Sequence, residues 1–181
     1  MTAKAVPTDE QLGHFARHQD DVFDRARPQY PADGDEFELT FNFSAPEADP
    51  IEMVRNDGYS YSEPEMLQFT GQKLSGVQTR RFKLVRVGYY RNLDEVREKL
   101  AQYGPVPEGQ WREAFKAAFP RYDGNDPVGF ADPSWVFPRG YVRFPDVFSC
   151  GVSDFYWAGD VIGEFWRWLV PASPADKPAS K

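Results

Sequence analysis

The stretch Ile162 to Val170, reading Ile-Gly-Glu-Phe-Trp-Arg-Trp-Leu-Val, constrains the fold more than any other. As an extended strand it sends Glu164, Trp166, Trp168 and Val170 to one side and Phe165, Arg167 and Leu169 to the other. Both sides are largely apolar, so the spacing predicts a central strand covered on both faces. Any part left uncovered would present Trp166, Arg167 and Trp168, residue types enriched at binding hot spots. Arg167 is the misfit, because a guanidinium amid that much apolar surface needs a carboxylate or an aromatic face. Asp132 and Asp154 are the expected partners. The same segment of the chain is dense in rings, with 12 of the 29 aromatic residues between positions 130 and 171. Aromatics bury large areas, so most of these rings are expected in the core.

Upstream, Phe37, Leu39, Phe41 and Phe43 alternate with Glu38, Thr40 and Asn42, the pattern of a half-buried strand. Residues 51–62 are expected to form a hairpin turning at Asp57-Gly58. The run from Arg80 to Tyr90 predicts the next strand, basic enough to blunt a sheet edge. Asn92 as N-cap, Glu95 three residues on and Gly104 as the stop delimit a helix. Its buried stripe is Leu93, Val96, Leu100 and Tyr103. A second short helix follows, with Trp111, Phe115, Ala118 and Phe119 on one face and Pro120 at its end. Near the start, Leu12, Phe15, Val22, Phe23 and Ala26 share one arc of a further helix, capped at Thr8. These elements predict an α+β fold: an antiparallel or mixed sheet, the two middle helices packed on one face, and a separate N-terminal helix. The expected organisation is an N-terminal helix and linker over residues 1–36, one α+β domain over 37–170, and a disordered tail over 171–181.

The 181 residues carry a formal charge of -7, distributed unevenly. Residues 1–66 hold 15 acidic and 5 basic side chains, whereas residues 67–121 hold 5 and 11. Such segments either face each other in the fold or leave an acidic recognition surface, for which Asp20, Asp21 and Asp24 are the candidates. Net negative charge makes nucleic acid an unlikely partner, even though Arg80, Arg81, Lys83 and Arg86 interleave with Phe82 and Tyr89. No apolar run reaches the roughly 20 residues of a membrane span, and the expected compartment is the cytoplasm.

Patterns that carry chemistry are sparse. His14, His18 and Asp21 lie at helical spacing and could reach one metal ion, although a solvated helix face explains them more simply. Asp123, Asn125, Asp126 and Asp132 offer oxygen ligands, yet Pro127 breaks the calcium-loop pattern and such residues commonly form turns. Cys150 is the single cysteine, which rules out an internal disulfide and a Cys-based zinc cluster. No GxSxG, Walker A or GxGxxG pattern occurs, and no cofactor is expected. The reading leans away from an enzyme. It favours a non-catalytic cytoplasmic interaction protein that binds a protein partner through its acidic N-terminal surface or an exposed aromatic C-terminal patch. The alternative is a small-ligand binder or hydrolase with a pocket of Trp135, Trp157, Asp123, Asp126 and Asp132.

Overall fold

In the computed structural model the described residues are 30–57, 68–120, 122, 126–148 and 152–173. The expected N-terminal helix, with His14, His18, Asp20, Asp21 and Asp24, lies outside them, as do Asp123, Cys150 and most of the tail. Eight strands form one mixed sheet: β1 (Glu36–Asn42), β2 (Gln68–Phe69), β3 (Val77–Val85), β4 (Val128–Gly129), β5 (Trp135–Phe137), β6 (Tyr141–Val147), β7 (Ser153–Trp157) and β8 (Arg167–Pro171). Their order is β1-β3-β8-β4-β6-β5-β2, with β7 paired to β6. Only β4 and β8 run parallel. Three helices accompany the sheet: α1 (Pro50–Asn56), α2 (Leu93–Leu100) and α3 (Trp111–Ala118). The α+β class follows, and among the described residues no helix is long and apolar enough to cross a membrane.

β8 is central, between β3 and β4, and both its faces are buried. Leu169 joins Phe82, Leu84, Val128 and Val147 in a cluster closed by Trp111 and Phe115 of α3. Trp168 and Val170 point the other way, into a cluster with Val85, Phe144 and Trp166 that Leu93, Val96 and Leu100 of α2 complete. The two middle helices therefore cover opposite faces, not one face as the sequence suggests. Strand alternation requires this, because a strand apolar on both sides needs a cover for each. Gly129 sits where Trp168 crosses β4, and a Cβ there would fall 2.5 Å from the ring atom Cζ3.

Local signals explain most of the elements. Asn92 Oδ1 accepts from the Glu95 N–H at 3.0 Å to start α2, and Gly104 ends the following turn at φ 111°. β1 presents Leu39 and Phe43 to the core while Thr40 meets Thr79 on the solvated side at 2.8 Å. Two expectations need correction. Residues 51–56 form helix α1 instead of a hairpin strand, because Asp49 caps the Ile51 N–H at 2.9 Å and Pro50 occupies the first helical position. Pro50, Met53 and Val54 then share the buried side. The basic strand β3 is internal, paired to β1 and β8, so it blunts no edge. Its charges are matched instead: Glu36 and Glu38 of β1 stand opposite Lys83 and Arg81 in register, Arg81 bonds Glu36 at 2.7 Å, and Arg80 bonds Glu108 at 2.8 Å.

The contact between Gly129 and Trp168 sets an expectation. Gly129→Ala forces the indole or β4 to shift, and overpacking of this kind costs roughly 1–3 kcal/mol. Denaturant unfolding followed by tryptophan fluorescence should show that loss, and an unchanged midpoint would mean the ring relocates freely.

Candidate functional site

Arg167 lies 7 % exposed on β8 and is fully engaged. Its Nε donates to Asp33 Oδ1 at 2.6 Å, Nη1 to the Tyr122 hydroxyl at 2.9 Å and Nη2 to the Pro31 carbonyl at 2.6 Å. Its partner is therefore Asp33, not Asp132 or Asp154. Arg86 donates to the other Asp33 oxygen and to Asp126, both at 2.6 Å. Burial pushes the Asp33 carboxyl upward, but hydrogen bonds from Arg86 and Arg167 outweigh it and hold the group below the ordinary carboxylate range. This network fastens residues 30–35, expected in a linker, to the central strands, aided by the Gly34 N–H donating to Leu84 O at 2.8 Å.

A second charged centre lies under α3. Arg112 and Asp57 are both inaccessible to solvent and paired at 2.6 Å. Arg112 also contacts Glu113 at 2.9 Å, donates to the Asp154 carbonyl at 2.9 Å and lies 4.7 Å from the centre of the Phe155 ring. Ser153 donates to Asp57, and Lys116 bonds Glu113 at 3.1 Å. Two cations thus meet two carboxylates, which satisfies a buried group of charges. Asp146 is the carboxylate left over. It lies on β6 directly opposite Asp154 of β7, it is fully buried, and neither of its oxygens has a hydrogen-bond partner. Burial, reinforced by the nearby Asp154 charge and only partly offset by Arg112, pushes its carboxyl well above the ordinary range.

Surface aromatic character collects elsewhere, at the end of β6 and β7. Tyr141 is 49 % exposed and Trp157 44 %, and their rings meet edge to face at 6.1 Å. Gly159 leaves room for the Trp157 indole, since a Cβ there would approach to 3.0 Å of the ring. The exposed Arg139 precedes Tyr141 in the turn from β5, at φ 69°. It is the one non-glycine residue with positive φ among the described residues.

The proposed residues of the sequence distribute as follows. Trp166 and Trp168 are buried in the α2 cluster, and Arg167 is bound as above. Trp135 is buried and donates its indole N–H to the Pro50 carbonyl at 3.0 Å. Asp126 is bound to Arg86, whereas Asp132 accepts from the Gly109 N–H at 2.7 Å and from the Ser134 N–H at 3.0 Å. These two carboxylates thus serve different structural contacts, and Trp157 stands on the surface. Among the described residues no group of three or more His, Cys, Asp or Glu side chains could hold a metal ion. Arg112, Asp146, Arg139 and Tyr141 escaped the sequence reading. Asp146 was detectable, because alternation along Val142, Phe144, Asp146 and Phe148 puts a carboxylate on an apolar face. Pro138-Arg139-Gly140 likewise carries a turn signal. Compared with protein-family models, curated proteins and solved structures, the chain finds no match in any of the three.

Two stability outcomes follow from the buried charges. The native state keeps the Asp146 proton to higher pH than the unfolded chain does, so stability falls as pH rises through the interval between the two titrations. Asp146→Asn removes that titration. Its melting temperature relative to the unaltered protein should therefore climb as pH is raised from about 4 towards neutrality, and parallel curves would contradict the assignment. Arg112→Met leaves the buried Asp57 with Lys116 as its cation, at 3.9 Å, and should cost about 3–5 kcal/mol in chemical denaturation.

Proposed function

We propose that the protein is a non-catalytic, cytoplasmic protein-binding module, and that it engages a protein partner through Arg139, Tyr141 and Trp157. The observation that carries this reading is the aromatic pair at the end of β6 and β7, half exposed and in edge-to-face contact. Aromatic side chains have few rotatable bonds and bind with little loss of conformational entropy, and Trp, Tyr and Arg are the residue types that dominate interface energetics. The left-handed backbone at Arg139 adds support, since uncommon backbone geometry of this kind clusters at functional sites. The other apolar side chains considered for recognition, Trp166 and Trp168, serve as the rigid base of the sheet that carries this end.

The test places a photo-crosslinking amino acid at Val161, in the turn after Trp157, and separately at Val77, the exposed start of β3. A discrete adduct in producing cells is expected from position 161 and not from position 77. Trp157→Ala should weaken capture of that protein by about 30-fold, the effect of losing a hot spot of about 2 kcal/mol. Equal adducts at both positions, or an adduct indifferent to Trp157→Ala at an unchanged melting temperature, would overturn the reading.

A further inference from the structure

A separate feature lies where α2, the loop after it and the segment between β4 and β5 converge. A cleft of about 120 Å³ opens there, lined by Arg97, Gln72, Val106, Glu108, Asp132 and Ser134 among others. Gly104, with its positive φ, turns the chain back after α2 so that Val106 and Glu108 form one wall. The hydrogen bond from the Gly109 N–H to Asp132 ties that wall to the opposite one.

The charges of the cleft are unequal in their commitments. Asp132 accepts from the Gly109 N–H, the Ser134 N–H and the Ser134 hydroxyl. Glu108 is neutralised by Arg80 at 2.8 Å. Arg97, by contrast, is loosely held: among the described residues its Nε is buried without a hydrogen-bond partner, while its side chain is 41 % exposed and its Nη1 stands 3.8 Å from Asp94, one turn back on the same helix. An arginine offers five N–H donors in a planar fork suited to a carboxylate. The remaining wall includes the apolar side chains of Val106 and Pro133. The cleft has a volume of about 120 Å³ and opens to solvent, so it seats a body of a few heavy atoms. With Asp132 and Glu108 already bound, the charge left to meet an occupant is the single positive charge of Arg97, which matches a monoanion better than a dianion.

From this we infer that the cleft is a binding site for a small organic monocarboxylate, whose charged end pairs with Arg97 while its short apolar body lies against Val106 and Pro133. The site is independent of the aromatic surface at Trp157. It is tested on the full chain by titrating sodium propionate at constant ionic strength while following backbone and arginine Nε–H resonances. Saturable shifts at Arg97, Ser134 and Val106 are expected, with at least a tenfold weaker affinity in Arg97→Gln and an unaltered affinity in Arg139→Gln. Inorganic phosphate and propylamine serve as probes of the charge, and N-acetylglutamate amide as a probe for a carboxylate carried on a peptide. Absence of saturable shifts, an equal response from phosphate, or an equal response in a folded Arg97→Gln variant would overturn the site. Tighter binding of the glutamate derivative than of propionate would overturn its assignment to a free acid.

Discussion

Burial of both faces of β8 is the constraint from which most of this architecture follows. Trp168 and Leu169 are consecutive and both wholly inaccessible, so the sheet must be covered on each side at the same point along the strand. α3 meets one demand and α2 the other. The strands beside β8 adapt to it as well: Gly129 has no side chain where the Trp168 ring crosses, and Phe82 and Leu84 of β3 alternate in step with Leu169. A central position also leaves Arg167 nowhere to reach bulk water, so its charge has to be met by protein. Asp33, the Tyr122 hydroxyl and the Pro31 carbonyl meet it, which is why the segment preceding β1 is fastened to the centre of the sheet.

The ionisable groups divide into three physical situations. Across β1 and β3 the acidic and basic stretches of the chain face each other in register, mostly in contact with solvent, and such pairs contribute little stability individually. Their value is in register, because a slip of one residue would carry the charges to the apolar side. Beneath α3 the pairing of Arg112 with Asp57 is wholly buried, and there the loss of either partner is expensive. Asp146 belongs to neither class. Its neighbours are matched among themselves, and it remains in the sheet as an unpartnered carboxyl that burial keeps in its neutral form.

Legibility in the sequence followed the range of the interaction. The Asn92 cap and the Leu93, Val96 and Leu100 stripe of α2 act within a few residues and are legible, as are Trp111 and Phe115 of α3 and the alternation that buries Leu39 and Phe43, whereas Ala118 of the expected α3 face is exposed. α1 runs against the turn signal of Asp57-Gly58, because the Asp49-Pro50 pair eight residues earlier starts a helix. The centrality of β8 is legible from the apolar side chains on both faces of the strand, but the opposite placement of the helices needs that inference carried one step further. The partner of Arg167 could not be read, since Asp33 is 134 residues away and nothing local distinguishes it from Asp132 or Asp154. The same holds for the pair Arg112 and Asp57, joined across 55 residues. On the surface, Trp157 was among the residues singled out, but its neighbour Tyr141 was not, because their contact depends on the pairing of β6 with β7.

The geometry of β7 bears on how a partner is recognised. β7 pairs only with β6, and a strand in that position ordinarily exposes backbone donors and acceptors to which another chain can add. The hydrogen bonds from Phe148 to Val152 and from Ala158 to Val142 place Ser153, Phe155 and Trp157 at the outward-facing positions. At Phe155 both groups are already taken: its N–H donates to the Asp154 carboxylate, and its carbonyl accepts from Arg143 Nη1 at 2.7 Å. The Trp157 carbonyl accepts from the Asp160 N–H at 3.1 Å. Addition of a strand from a partner would have to break these bonds first. On the proposed reading, recognition at this edge would therefore fall to side chains, of which Tyr141 and Trp157 are the exposed aromatic pair. Such an edge would favour a partner that supplies a pocket for a ring over one that supplies a strand.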